Sequence, residues 1–410
     1  TIMVGQGVGD AGLAALTIFM PIVASFFALG LLLGIGGGVL MSVAKGSGNE
    51  SLAHKYFSTA MISAAVVSVC FAVFGAIFFD PMMYALGADT TNIELVRGYG
   101  LCYTVSAPLF IFSSSLQSFI RNDKSPRHAM IAVLTGSGLN ILLDYLFIFV
   151  FKMGMFGASF ATSIGTSITV CILIIHFFTK KNTMRFSFRF FSIKALWEIA
   201  KCGFSSFLIE CANAVLVFVF NHTLLKYIGS VGVTVYSIMS NVAVVCMSLF
   251  NGVTLAAQPI IATNHGADNH KRVLQVRHIG TITSSVIAVI IFCVGFFFPD
   301  LLIYSYVKDP TPEILELARY ALRIYFFAYL FMNFNIFFSG YFQSTLRPVA
   351  AITIQILRSL LLSSVLVSVL PMIFGADAIW YAVPITECIT FFVAMAFLFF
   401  GRFQKTKDAK

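Results

Sequence analysis

Long apolar runs separated by short polar connections make up almost the whole chain. They fall at about residues 13–44, 56–79, 95–120, 128–151, 156–179, 203–227, 232–263, 279–299, 315–342, 349–372 and 377–401. Each is long enough to cross a hydrocarbon core of about 30 Å as an α-helix. The pattern therefore predicts an all-α polytopic membrane protein with eleven visible spans. Several runs exceed what a straight crossing needs, which permits tilt or bending, and Pro21, Pro108, Pro259 and Pro384 lie within runs as candidate kinks.

One of these runs holds a carboxylate. Asp144 is the sole charge between Met130 and Phe151. An ion at membrane depth costs at least ~2.5 to 3.5 kcal/mol, so an acid kept there binds a cation, carries a proton or pairs with a base. Asn140 stands four residues earlier, on the same helix face. The pair reads as a small polar site. The bland alternative is a buried acid satisfied by neighbouring hydroxyls, with no part in transport.

Composition supports the membrane setting. Hydrophobic residues make up 59% of the 410 and charged residues 10%, and the mean hydropathy is +0.93. A soluble domain carries about 25% charged residues. Most of the 26 lysines and arginines lie on alternate connections and the C-terminus, among them Lys45, Lys55, Arg121, Lys180, Lys271, Arg272, Arg347 and Arg402. The opposite side holds Lys152, Lys226 and Lys308 together with acids such as Asp80, Glu94, Asp300 and Glu313. The basic side is read as cytoplasmic. This asymmetry accounts for the net charge of +9, so the charge gives no support to nucleic-acid binding. An odd span count with the C-terminus inside puts Thr1 outside, and the expectation is a chain lacking the first helix of a protein of about twelve spans.

The stretch from Lys180 to Lys201 is basic, with aromatic residues interleaved. It predicts an interfacial amphipathic segment in contact with membrane lipid and divides the chain into an amino-terminal lobe at 1–179, a linker at 180–202, a carboxy-terminal lobe at 203–402 and a tail at 403–410. The lobes echo each other. At an offset of 220, Gly46 and Asn49 meet Gly266 and Asn269; at 222, Arg97, Tyr103 and Pro126 meet Arg319, Tyr325 and Pro348. Equivalent helices lie six spans apart, an even number, which predicts two six-helix bundles related by a pseudo-two-fold along the membrane normal.

Four stretches carry a family resemblance: TIMVGQGVGDAGLAAL at the start, F-I-R-x-x-x-x-P from Phe119 to Pro126, LNILLDYLFIF, and GFSSFLIECANAVLVFVFN at 203–221. Together they resemble the bacterial branches of the multidrug and toxic compound extrusion (MATE) family. The resemblance implies secondary active efflux of amphipathic, mostly cationic drugs, coupled to inward movement of Na⁺ or H⁺, by a monomer in the cytoplasmic membrane. It implies a cation or proton site of Asn140, Asp144 and Thr162, the last from GASFATSIG on the next helix, and an acid at the end of a first helix that would precede Thr1. Carboxylate, amide and hydroxyl oxygens suit Na⁺, and a buried carboxylate also suits a proton.

Other charged residues admit two readings each. Glu210 is a candidate for cationic substrate or a second proton site, or else a helix-end salt bridge. Glu387 is read as part of a structural ion pair with Arg358, with Arg323 as another partner within range. His265, His270 and His278 gather on the basic side beside Lys271 and Arg272 and are read as solvated, so no metal or cofactor is expected. The run GIGGG at 34–38 follows no strand, which excludes dinucleotide binding and favours close helix packing. An enzyme would need a nucleophile–base pair or H-E-x-x-H spacing, and neither occurs. The alternative within transport is a lipid-linked oligosaccharide flippase, for which Arg97, Arg319, Arg323 and Arg358 are the sole cations in or beside the spans.

Overall fold

The computed structural model describes residues 2–307 and 309–407; Lys308, which enters the charge pattern above, lies outside them. Within a bilayer no water is available to satisfy backbone amides, so apolar runs of this length must close their hydrogen bonds internally as helices. All described elements are helical: α1 (Ile2–Val8), α2 (Asp10–Gly46), α3 (Glu50–Ile77), α4 (Phe79–Ala85), α5 (Ile93–Val105), α6 (Ala107–Asn122), α7 (Pro126–Tyr145), α8 (Gly154–Ile175), α9 (Ile193–Tyr227), α10 (Ser230–Gly266), α11 (His270–Phe297), α12 (Pro299–Tyr306), α13 (Pro312–Phe326), α14 (Ala328–Ser344), α15 (Pro348–Ile356), α16 (Leu362–Phe374) and α17 (Ala382–Lys407). They supply 10 spans, or 11 if α5 and α6, bent by 51° at Ser106, count as one. Pro108 begins α6 after this break, whereas Pro21 and Pro259 sit inside continuous helices.

The chain forms two compact units, Thr1–Glu210 and Cys211–Lys410. The division falls inside α9, which starts at Ile193, so residues 193–202 of the expected linker are helical. Within the expected tail, α17 continues to Lys407 and residues 408–410 lie outside the described part.

The two units repeat one element order. α2 and α10 both have 37 residues and α3 and α11 both have 28, each pair offset by 220. The cap chemistry repeats as well. Asn49 accepts from the Leu52 amide at 3.0 Å and Asn269 from the Arg272 amide at 3.2 Å, satisfying first-turn N–H groups that the helix leaves open. A short helix follows in each unit and offers an aspartate to an arginine of the next helix. Arg97 binds Asp80 at 2.5 and 3.2 Å, and Arg319 binds Asp300 at 2.5 and 2.8 Å.

Glycines set the packing of the amino-terminal unit. A methyl on Gly34 would come within 2.7 Å of Ser115 Cα, one on Gly37 within 2.6 Å of Phe119, and one on Gly38 within 2.8 Å of Asn122. Backbone-to-backbone approach of this kind is how small residues hold membrane helices together by dispersion. Ser42 and Ser115 bond across the α2–α6 contact, to Asn122 at 2.8 Å and to the Gly30 carbonyl at 3.0 Å. In the carboxy-terminal unit the large rings of Phe250, Phe326, Tyr329, Phe337, Phe342 and Trp380 are fully buried.

Candidate functional site

Helices α7 and α8 cross where Gly136 and Gly165 face each other. A methyl at Gly165 would come within 2.8 Å of the Gly136 carbonyl oxygen and 2.9 Å of Asn140 Cβ. With no side chain at either glycine, the backbones close up and the next turn of α7 reaches α8. There Asn140 Nδ2 donates to Thr162 Oγ1 at 3.3 Å, while Thr162 Oγ1 donates to the Ala158 carbonyl at 2.9 Å. The Thr162 hydroxyl proton is thus held by its own helix, leaving its lone pairs turned to the α7 side.

Asp144 lies one turn further along the same face of α7. Its Oδ1 is buried and has no hydrogen-bond partner among the described residues. An unpartnered carboxylate oxygen in a span carries a desolvation cost that a proton or a small cation would remove. Directly after Tyr145 the helix widens into a π-turn, Leu146–Val150, a local distortion frequent at functional sites. From α5, Tyr99 lies within electrostatic reach of Asp144, its ring set by Phe19 edge-on and Tyr103 stacked, each at 5.7 Å. Tyr99 was not singled out from sequence; a tyrosine among apolar residues four before Tyr103 was its one signal.

The structure therefore brings Asn140, Asp144 and Thr162 into one neighbourhood. Glu210 stands apart from it on α9, half-buried, and forms no ion pair among the described residues, so the helix-end salt bridge weighed for it is not made there.

In the other unit Arg358 binds Glu387 through Nη2 at 2.8 Å and Nε at 3.1 Å, both side chains buried. Arg323, the other partner considered, makes no ion pair among the described residues. Arg358 stands in a second π-turn, Leu357–Leu361. Asn335, which sequence reading did not identify, donates to Glu387 Oε2 at 2.7 Å and to the Glu387 carbonyl at 2.9 Å. Among the described residues no group of three or more His, Cys, Asp or Glu is placed to hold a metal ion.

At the end of α6, Asp123 gathers Lys45 Nζ at 2.5 Å, His176 Nε2 at 2.9 Å, the Thr183 amide at 3.0 Å and the Thr183 hydroxyl. Burial pushes its carboxyl up, but the bonds from Lys45, Thr183 and His176 outweigh that and hold it below the usual carboxylate range.

The chain matches the MatE family over residues 1–146 and 202–369. It is 26% identical over 398 residues to the multidrug export protein MepA of Staphylococcus haemolyticus, spanning 97% of this chain and 87% of that protein. Against MepA of Staphylococcus saprophyticus it is 27% identical over 404 residues, 98% and 88% of the two chains. Its fold resembles the crystal structure of MATE in complex with MaL6, with a TM-score of 0.91 at 20% identity over 99% of this chain and 92% of the other. It is equally close, at 0.91 and 21% identity over 99% and 90% of the chains, to a multidrug resistance MATE family transporter in an outward-facing conformation. Since the sequence match runs through both halves of the chain and not through one set of apolar helices, the protein belongs to the MatE family, a family of membrane transporters.

Proposed function

We propose that the protein exports amphipathic, mostly cationic drugs across the cytoplasmic membrane, driven by inward movement of Na⁺ or H⁺. The observation that carries this reading is the buried oxygen of Asp144, without a hydrogen-bond partner among the described residues, beside the Asn140–Thr162 contact. The relatives named as multidrug export proteins supply the cargo class.

In this reading the amino-terminal unit is the ion-coupling part. A proton or Na⁺ arriving from outside neutralises Asp144, with Asn140 and Thr162 contributing oxygen ligands when the ion is Na⁺. Binding favours one conformation by as much as the ion's affinities for the two states differ. That state releases drug outward, and loss of the ion to the cytoplasm resets the carrier. Glu210, an acid without an ion-pair partner among the described residues, attracts the cationic cargo. The protein acts as a monomer with its C-terminus inside.

A flippase for pyrophosphate-linked lipid would need arginines available to anionic cargo. Of the four considered, Arg97, Arg319 and Arg358 are instead engaged by Asp80, Asp300 and Glu387, and Arg323 alone makes no ion pair among the described residues, which weighs against that alternative. The test is ethidium efflux from cells expressing the protein, beside Asp144→Asn, with the Na⁺ and H⁺ gradients collapsed separately. Efflux that needs Asp144 and stops with one gradient is expected. Efflux untouched by Asp144→Asn, or none from the wild type, overturns the reading.

A further inference from the structure

The segment joining α8 to α9, with the first turns of α9, has two unlike faces. Its inner face is bolted to the amino-terminal unit. Met184, Ala195 and Ile199 are buried. The Ser187 amide donates to Ser58 Oγ at 3.1 Å, Tyr56 donates to Glu198 at 2.5 Å, and Thr183 is held by Asp123.

The outer face is apolar and cationic together. Phe188 is 77% exposed, Ile193 76% and Trp197 62%. Arg189, Lys194 and Lys201 are exposed among them and form no ion pair among the described residues. The Lys201 ammonium lies 5.1 Å from the centre of the Trp197 ring. This face runs from just beyond the span Gly154–Phe178 into the first turns of the span Ile193–Tyr227, so the chain itself holds it at the membrane boundary.

Few environments satisfy such a surface. Water leaves the rings exposed, acyl chains strand the cations, and a soluble polyanion answers the cations alone. A phospholipid interface with net negative charge answers both, since aromatic rings settle at headgroup level and lysine and arginine are drawn to anionic lipid. We infer that this face is a docking surface for anionic phospholipid headgroups of the protein's own membrane. Phe188, Ile193 and Trp197 enter the interface, and Arg189, Lys194 and Lys201 meet lipid phosphate.

The chain holds two tryptophans, and the other, Trp380, is 1% exposed. The emission of wild type minus that of W197F therefore reports Trp197, at an exposed position where the substitution leaves packing intact. Proteoliposomes of phosphatidylcholine, with and without phosphatidylglycerol, are compared, with bromine placed high on the acyl chain of either lipid. Brominated phosphatidylglycerol is expected to quench Trp197 at least about two-fold more than brominated phosphatidylcholine at equal mole fraction, a difference that high salt or K194Q/K201Q removes. Equal quenching by the two lipids would show aromatic anchoring without charge recognition and overturn the proposal. So would a Trp197 that stays open to acrylamide in both membranes, or one that heparin shields as well as phosphatidylglycerol does.

Discussion

Asn140 of α7 donates to Thr162 of α8 across 3.3 Å, one helical turn from a buried oxygen of Asp144 that has no hydrogen-bond partner among the described residues. The contact exists because two glycines let the helices close upon each other. Among the described buried polar atoms without a partner, the Asp144 oxygen is the one that belongs to a carboxylate. Buried polar groups are paired as a rule, so an exception calls for a physical reason; here the reason proposed is ion coupling.

Asp144→Asn keeps the side chain's size and removes the charge. Drug efflux is expected to fall at least about ten-fold, the factor that follows from about 1.4 kcal/mol of lost coupling energy. The melting temperature should hold or rise, because an uncompensated buried carboxylate is gone. Thr162→Ala should lower efflux less, and Thr162→Ser should keep it. Efflux assays paired with thermal unfolding of the same variants check this; a variant that loses stability as steeply as efflux would point to a packing role.

Gly165→Val should damage the protein in both respects. Its side chain would press on the Gly136 carbonyl and on Asn140, and overpacking of a close contact costs about 1 to 3 kcal/mol. Gly138→Ala is the control on the facing helix, α7, since a methyl there meets nothing within 4 Å. Equal melting temperatures for the two variants would refute the close-crossing account of the site.

Glu387→Gln leaves Arg358 buried without its charge partner, and breaking a buried pair costs about 3 to 5 kcal/mol. The double substitution Arg358→Met with Glu387→Leu removes both charges and should recover most of the loss. Thermal unfolding of the three proteins separates the outcomes. If Glu387→Gln abolishes efflux at unchanged stability, the pair takes part in transport and is not simply a structural tie.

The hold of Asp123 on the α8–α9 segment should depend on pH. Its folded carboxyl lies below the ordinary value, about 3.9 for an unstructured aspartate. The stabilisation is therefore fully present above that value and is lost as pH falls through the lower folded one. A nitroxide at position 181 should stay immobilised from neutral pH to about pH 4 and loosen below it, whereas Asp123→Asn should loosen it throughout. Identical spectra for the two proteins across this range would show that Asp123 does not fasten the segment.

Much of the architecture was legible before any coordinates. Spans declare themselves because a bilayer of fixed thickness demands apolar runs of matching length, and all eleven expected runs lie in described helices. The faint echo between Gly46–Asn49 and Gly266–Asn269 marks real equivalence, since both asparagines cap the next helix. Asn140 and Asp144 share a face because a helix brings every fourth residue round. Less visible were the two π-turns and the exact start of α9, for apolar composition is the same on either side of each.

By itself, then, the sequence determined which segments enter the membrane and which polar groups are stranded there, because both follow from local spacing and the cost of leaving water. Beyond the Arg358–Glu387 pair, tertiary structure decided the partners. Nothing local tells Asp80 that Arg97 awaits it, Asn335 that it will bridge to Glu387, or Tyr99 that it will stand near Asp144. Such pairings depend on which helices approach closely, and that is set by where glycines admit a neighbouring backbone and where large rings hold it away.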